Sequence, residues 1–124
     1  MKIILKKIIF IQEGIIIKTK ELIDEIVKTA EEKKGENIEV IKLRTEGIII
    51  DYFIIITASS KMNARAVSDA IVMKLKELNN PKRSVQGHAE GSWILIDTGN
   101  IFIHIFTGEQ RSFYNLEKLW KQSS

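Results

Sequence analysis

The first apolar pattern with a clear period lies between residues 20 and 34. Apolar side chains recur there at three- and four-residue steps, which is the spacing of one face of a helix. Thr19 stands at the expected N-cap position and Gly35 at the expected stop. We therefore predict a helix over 20–34 whose buried stripe is Leu22, Ile23, Ile26, Val27 and Ala30.

A second stretch with the same period lies between residues 61 and 78. Ser59 or Ser60 is placed to cap its first turn, and Pro81 follows its last turn. The pattern predicts a second helix over 61–78, with a stripe formed by Ala64, Val67, Ile71, Leu75 and Leu78.

The remaining apolar runs have the character of strands. Residues 51–57, DYFIIIT, are almost continuously apolar and β-branched, which is typical of a strand buried on both faces. Residues 92–97 and 101–107 flank the turn Asp97-Thr98-Gly99-Asn100 and predict a hairpin. Shorter strands are predicted at 38–43 and 83–87, and a short helix from Glu109. The order indicates an α/β (α+β) fold, with a mixed sheet of about five strands covered by helices.

Length and composition predict a single domain. The chain has 124 residues, 44% hydrophobic side chains and no cysteine, so it carries neither a disulfide framework nor a thiolate metal site. The lack of cysteine is compatible with a reducing cytosol, and we expect a cytoplasmic protein.

The net charge of +3 is a misleading guide to the chemistry of a partner, because it is concentrated at one end of the chain. Residues 1–18 hold four basic side chains and one acidic side chain, which gives +3, while residues 19–124 hold 15 of each sign, which gives zero. A nucleic-acid binder usually presents a basic face. The neutral body therefore lowers the expectation of direct RNA or DNA binding.

The segment 1–18 is predicted to be an N-terminal extension to one domain over 19–124. Its apolar runs are interrupted by Lys6 and Lys7, so they are too short for a spanning helix and poorly suited to a signal peptide. Two interpretations stay open: an extra strand or loose extension, or upstream read-through before a natural start near residues 15–18.

Candidate catalytic and metal-binding residues are sparse. The single glycines do not form a phosphate-binding loop, and strand 92–97 offers only Asp97, since Leu95 occupies the position two residues earlier. His88 and His104 lack tight ligand spacing. The sequence therefore predicts no enzyme activity, no metal site and no cofactor.

The hairpin side chains each have a structural and a functional interpretation. His104 lies between two phenylalanines on one strand face, which favours a neutral, space-filling histidine over a catalytic base. Trp93 is either a core residue or a partly exposed interface anchor. Asp97 either caps the turn amides or presents a charge to a basic partner. For Trp93 and Asp97 both interpretations stay open.

Several segments together carry a resemblance to a known family. They are DYFIIITASS at 51–60, Ser68-Asp69, Gln86-Gly87, Trp93, the turn 97–100, IFIHIF at 101–106, Arg111 and the YNLEKLW segment at 114–120. At these spacings, over about residues 19–120, the chain closely resembles the ribosomal silencing factor family, also called Iojap-like proteins.

The resemblance implies a non-enzymatic role and a nucleotidyltransferase-like topology without the catalytic carboxylates. Members of this family bind the large ribosomal subunit through its ribosomal protein fourteen. They thereby block joining of the small subunit and repress translation when nutrients are scarce, commonly as homodimers. By this resemblance we expect the partner-binding residues to be Trp93, Asp97, Thr98, Tyr114, Leu116 and Trp120.

The chain departs from the family pattern at several positions. Asn100 stands in place of a usual aspartate and Gln86 in place of a usual glutamate, so the charge-based part of partner recognition is expected to be weaker. Ala58 and Met62 replace a usual glycine and arginine. Two other functions stay open: a nucleotide-binding protein of nucleotidyltransferase fold, and a dimeric scaffold unrelated to ribosomes.

Overall fold

The structure, a computed structural model, describes residues 18–108, except for the side chains at positions 49 and 50. The elements defined in this range follow the predicted order. The predicted extension over 1–18, apart from Lys18, and the predicted C-terminal helix lie outside the described residues. The helices are α1 (Thr19–Glu32) and α2 (Lys61–Glu77), and the strands are β1 (Glu36–Thr45), β2 (Ile48–Ala58), β3 (Ser84–Gln86), β4 (Trp93–Asp97) and β5 (Ile101–Thr107).

The strands form one mixed sheet in the order β1-β2-β5-β4-β3. β2 and β5 are parallel, while the other neighbouring pairs are antiparallel. Since β3 is antiparallel to β4 and β4 to β5, β3 runs in the direction of β2, and α2 carries the chain between them across the sheet. The predicted α+β fold with a mixed five-stranded sheet and the β4–β5 hairpin are confirmed. The nucleotidyltransferase-like topology stays a prediction.

Both helices cover the same face of the sheet, where the main core lies. The predicted stripes of α1 and α2 meet alternate side chains of β2, β4 and β5 in one cluster. Apolar burial of this kind stabilises by roughly 25 cal/mol per Å² removed from water. The fully buried isoleucines of this face are Ile54, Ile56, Ile94, Ile96, Ile101, Ile103 and Ile105.

Strand β2 is buried on both faces over its middle, as its apolar run predicts. Ile54, Ile55 and Ile56 are consecutive, so they point to alternate faces, and each is 0% exposed. Ile54 and Ile56 join the helix-side core, whereas Ile55 joins a second cluster on the opposite face. The second cluster is the foundation of the candidate site.

Of the two predicted helix N-caps, one is confirmed and the other is wrong. Ser60 caps α2 as expected, because its hydroxyl accepts a 3.0 Å hydrogen bond from the Asn63 amide. The prediction of Thr19 as a cap for α1 is wrong: the N-cap position is Lys18, which makes no side-chain capping bond. Thr19 is already inside the first turn, and its hydroxyl instead lies 3.4 Å from the side-chain nitrogen of Asn100.

Gly35 follows the end of α1 for a packing reason. The helix ends at Glu32, and Lys34 rather than the glycine adopts the left-handed conformation, with φ of 68°. A Cβ at Gly35 would lie 2.8 Å from the Ile56 side chain and 3.0 Å from the carbonyl of Ala30. The glycine therefore allows the chain to pass close to the core as it enters β1.

The helices are short and amphipathic, with 14 residues in α1 and 17 in α2. A spanning helix needs roughly 20 apolar residues. In the described part of the chain, no helix has the length and apolar character needed to cross a membrane.

Candidate functional site

The candidate site lies on the sheet face opposite the helices. Because Ile94 and Ile96 of β4 face the helix-side core, Trp93, Leu95 and Asp97 point to the other face, and all three are half-buried. Among the described residues, the hydrophobic cluster on this face is built from strand residues, without a contribution from α1 or α2. Trp93 and Asp97, predicted as partner-binding residues, therefore share one surface.

An aromatic cluster fixes the Trp93 side chain. Its indole stacks on Phe106 with 4.9 Å between ring centroids, and its Nε1 donates a 3.1 Å hydrogen bond to His104 Nδ1. Phe53 packs against His104 at 4.8 Å and against Phe102 at 5.7 Å. Ring contacts and a directed hydrogen bond together hold the indole in one orientation. We call Trp93, His104, Phe106, Phe53 and Phe102 the aromatic face.

His104 is a structural member of this aromatic face. It is 6% exposed, and its Nδ1 accepts from Trp93, so the neutral ring carries its proton on Nε2. Nε2 is buried and has no hydrogen-bond partner among the described residues. Burial lowers the pKa of His104 from 6.5 to about 4. These observations agree with the prediction of a neutral, space-filling histidine.

The buried His104 makes stability depend on pH. Between pH 6.5 and about 4 the unfolded chain binds a proton that folded His104 does not, so stability falls as the pH falls through this window. We expect a loss of roughly 3 kcal/mol in the free energy of unfolding from this group, measured by urea denaturation across the range.

The matched variants for this test are His104→Asn and His88→Asn. Asparagine removes the titration at position 104 but keeps an acceptor near the place of Nδ1. The His88 side chain is 42% exposed. Replacing it should therefore leave most of the pH-dependent loss of stability in place. Equal pH slopes for the parent and His104→Asn would contradict this account.

Asp97 and Thr98 hold the turn between β4 and β5. The Asp97 carboxylate accepts a 2.7 Å hydrogen bond from the Gly99 amide. The Thr98 amide donates to the carbonyl of Ile101 at 3.0 Å, and its hydroxyl lies 3.1 Å from that carbonyl and 3.2 Å from the Ile101 amide. The predicted capping role of Asp97 is therefore present. A capping carboxylate that stays half-exposed remains available as a charge for a partner.

The two predicted anchors mark opposite ends of β4 and do not touch. Four residue steps separate Trp93 from Asp97, which places their Cα atoms about 13 Å apart on an extended strand. Leu95 lies between them on the same face. Along β4 the surface thus presents an indole at one end, an apolar side chain at the centre and a carboxylate at the other end. Tyr114, Leu116 and Trp120, the other predicted contacts, lie outside the described residues.

The loop over 87–92, which leads into Trp93, is tied closely to α2. Arg65 donates to the carbonyl of His88 at 3.0 Å and to that of Ala89 at 2.7 Å. The Gly91 amide donates to the Gly87 carbonyl at 2.9 Å and closes the loop. Because Trp93 follows directly, these bonds fix where β4 begins and hence where the indole lies.

Glu90 completes the fastening of this loop. Its carboxylate accepts from the amide and the hydroxyl of Ser92 and lies 3.2 Å from the Lys61 ammonium. The Ser92 hydrogen bonds, with a smaller contribution from Lys61, lower the pKa of Glu90 to about 2. Sequence reasoning missed Arg65 and Glu90 as positioning residues. The pair of glycines at 87 and 91 just before a strand was the available signal.

The groups at the start of α2, beside Ser59 and Ser60, are engaged in capping bonds, which disfavours both anion binding and a nucleophilic serine at this position. The Ser59 amide donates to the Asn63 side chain at 3.0 Å, and the Ser60 hydroxyl accepts from the Asn63 amide. These capping bonds occupy groups that an anion would need. Within residues 18–108, no three His, Cys, Asp or Glu side chains are grouped as a metal site would require.

Comparisons with known proteins agree with the family resemblance that the sequence carries. The family model described as "Ribosomal silencing factor during starvation" matches residues 16–124. A ribosomal silencing factor of Halalkalibacterium halodurans is 29% identical over 100 residues, which cover 81% of this chain and 86% of that protein. The Mus musculus protein named "Mitochondrial assembly of ribosomal large subunit protein 1" is 31% identical over 101 residues, which cover 79% of this chain and 44% of that protein.

A solved structure agrees at the level of the fold. The crystal structure of a protein from Chromobacterium violaceum matches with a TM-score of 0.75 and 26% identity. The match covers 85% of this chain and 88% of that chain. The architecture of the described residues is therefore one that an experimentally determined relative shares.

Proposed function

The chain belongs to the ribosomal silencing factor family, and from this membership we propose that it binds the large ribosomal subunit and blocks joining of the small subunit. The observation that carries the proposal is the family match over residues 16–124. The name of the Mus musculus relative, which refers to assembly of the large subunit, supports the choice of subunit. Repression of translation under nutrient limitation would follow from this block.

The proposed contact surface comprises the aromatic face and the Asp97 carboxylate at the far end of β4. Trp93 supplies a large, rigid side chain whose orientation is fixed before binding, so little conformational entropy is lost on contact. Asp97 supplies a charge at the other end of the strand. We propose that Tyr114, Leu116, Trp120 and Thr98 extend this surface.

A protein partner on the subunit fits the charges better than ribosomal RNA does. Residues 19–124 carry 15 basic and 15 acidic side chains, so their net charge is zero, whereas phosphate binding draws on clustered Lys and Arg. We propose ribosomal protein fourteen as the contact. The mechanism is steric and needs no catalysis: the bound domain occupies space that the small subunit requires, and a homodimer would occupy more of it.

Co-sedimentation tests the proposal directly. Purified large subunits should carry the protein into the pellet, and adding small subunits to the preformed complex should yield fewer joined ribosomes than without the protein. Failure to pellet would contradict ribosome binding. Pelleting without any effect on joining would contradict the silencing mechanism. Calorimetry with ATP and magnesium gives no heat of binding if the nucleotide-binding alternative is wrong.

The charge of Asp97 is expected to contribute about tenfold to subunit affinity, as a hydrogen bond to a charged group typically adds ~1.5 kcal/mol. Asp97→Asn keeps an oxygen that accepts from the Gly99 amide, so the turn should survive while the charge is lost. Affinity is measured by co-sedimentation at increasing protein concentration, and the thermal midpoint confirms that the fold is retained.

The matched control for Asp97 is Asp24→Asn. Asp24 is exposed on α1, on the helix-covered side of the molecule, and its replacement changes the net charge equally. It should leave affinity unchanged. Equal losses for both variants would mean that only overall charge matters, and no loss for Asp97→Asn would restrict Asp97 to its role in the turn.

A further inference from the structure

A cleft lies on the helix side of the sheet, away from the aromatic face. It has a volume of about 500 Å³ and runs between α2 and the edge strand β3. Its walls are mainly apolar, formed by Val72, Met73 and Val85. Val85 is paired with Ile96, whose side chain belongs to the helix-side core. The size and the apolar lining are typical of small-molecule sites.

One end of the cleft carries two cationic side chains. Lys76 lies in the last turn of α2, and Lys82 lies in the link to β3. Among the described residues, neither ammonium has a carboxylate within 4.0 Å, whereas the neighbouring Lys74 is paired with Glu77. The two lysines are therefore available to an anionic group at this end.

The other end of the cleft carries a buried hydroxyl. Ser68 is 0% exposed, lines the cleft, and its Oγ has no hydrogen-bond partner among the described residues. Asp69 and His88 also lie at this end, but they are engaged with each other at 2.8 Å. A buried hydroxyl without a partner is unfavourable, so a ligand that accepts its hydrogen bond gains from it.

The two polar ends are separated by a defined length. Ser68 and Lys76 are eight residues apart on α2, which corresponds to about 12 Å along the helix. Val72 and Met73 fill the interval. A ligand that satisfies both ends therefore needs an anionic head, an apolar body and a hydrogen-bonding group at the far end of the body.

We propose that this cleft binds a small amphiphilic carboxylate that carries a hydroxyl or carbonyl group at the end of its apolar body. The carboxylate lies between Lys76 and Lys82, the body covers Val72, Met73 and Val85, and the far polar group accepts from Ser68. The proposal is independent of ribosome binding, because the cleft and the aromatic face lie on opposite faces of the sheet.

Three probes of similar length test the two ends separately in titrations followed by ¹H–¹⁵N NMR: 10-hydroxydecanoate, decanoate and decane-1,10-diol. We expect 10-hydroxydecanoate to bind with a Kd of about 10⁻⁴ M, in the range of ligands with roughly a dozen heavy atoms. Decanoate and the diol should each bind at least threefold more weakly. The shifted amides should map to α2 and β3.

Variants assign each end of the ligand to its residues. Ser68→Ala should remove the advantage of 10-hydroxydecanoate over decanoate and leave decanoate binding unchanged. The double variant Lys76→Gln/Lys82→Gln should remove the advantage of the acid over the diol. The matched control, Lys20→Gln/Lys28→Gln on α1, should bind all probes as the parent does. Thermal melts show that each variant is folded before it is titrated.

Several outcomes would overturn the proposal. Equal affinity of the parent for all three probes would mean that the cleft offers only an apolar surface. Amide shifts confined to β4 and β5 would place the ligand on the aromatic face instead. If the Ser68 and lysine variants kept the parent's preferences among the three probes, neither Ser68 nor the two lysines would contact the ligand.

Discussion

Replacing Trp93 with alanine is expected to weaken binding to large ribosomal subunits by about 30-fold or more, which corresponds to ~2 kcal/mol. The indole is half-buried, stacked on Phe106 and hydrogen-bonded to His104. Its exposed part is therefore presented in a fixed orientation, which is the arrangement found in interface hot spots. The measurement is co-sedimentation with purified large subunits over a range of protein concentrations.

The same change also removes packing from the sheet face, so stability has to be measured beside binding. Because Trp93 is only half-buried, we expect a smaller loss than for a fully buried aromatic, on the order of 2 kcal/mol. Binding is therefore compared well below the melting temperature of the variant. Trp93→Phe keeps a ring to stack on Phe106 and should recover most of the stability but only part of the affinity.

Ile48→Ala is the matched control for a lost apolar side chain. Ile48 is 67% exposed and lies at the start of β2. Trp93 is opposite Phe106, which is opposite Thr57 near the end of β2, so Ile48 is nine residues away along that strand. Its replacement should leave subunit binding unchanged. If Trp93→Ala binds as tightly as Ile48→Ala, Trp93 belongs to the fold alone.

Gly87→Ala is expected to lower the free energy of unfolding by about 2–5 kcal/mol, combining backbone strain with steric overlap. Gly87 has φ of +82°, and a Cβ at this position would overlap the backbone oxygen of Trp93. The contact is with backbone, so no side-chain rotation relieves it. The loop or the start of β4 has to move, and urea denaturation measures the cost.

Gly47→Ala separates the two contributions. Gly47 has a similar φ of +80°, but a Cβ there would have no described atom within 4 Å. Its replacement should therefore cost only the backbone strain, about 1 kcal/mol. Equal losses for the two variants would show that the overlap at Trp93 is relieved at no cost.

Within residues 18–108, the periodicity of the chain was sufficient to predict the elements and their buried faces. The stripe over Leu22, Ile26 and Ala30 and the run Ile54–Ile56 are buried as predicted. This works because a helix and a strand impose fixed side-chain periods, and burial of the matching apolar residues drives folding. Element ends were less predictable, as Thr19 shows, since a cap depends on the backbone conformation of a single residue.

The family was also evident in the sequence, because the segment around Trp93 and the turn at 97–100 is distinctive in spacing. The match over residues 16–124 agrees with it. Successive side chains of a strand point to opposite faces, so the spacing of Trp93 and Asp97 along β4 is by itself enough to put them on one face. That these two residues bind the partner stays a proposal.

The tertiary structure alone decided how this face is built. Trp93 donates to His104 on a neighbouring strand, and Arg65 on α2 holds carbonyls of a loop 23 and 24 residues further along the chain. Likewise, Ser68 and Lys82 line opposite ends of one cleft only because α2 lies against the β3 edge. Periodicity reports which face a side chain occupies. Its neighbours across strands and elements depend on long-range register and packing, which no local pattern encodes.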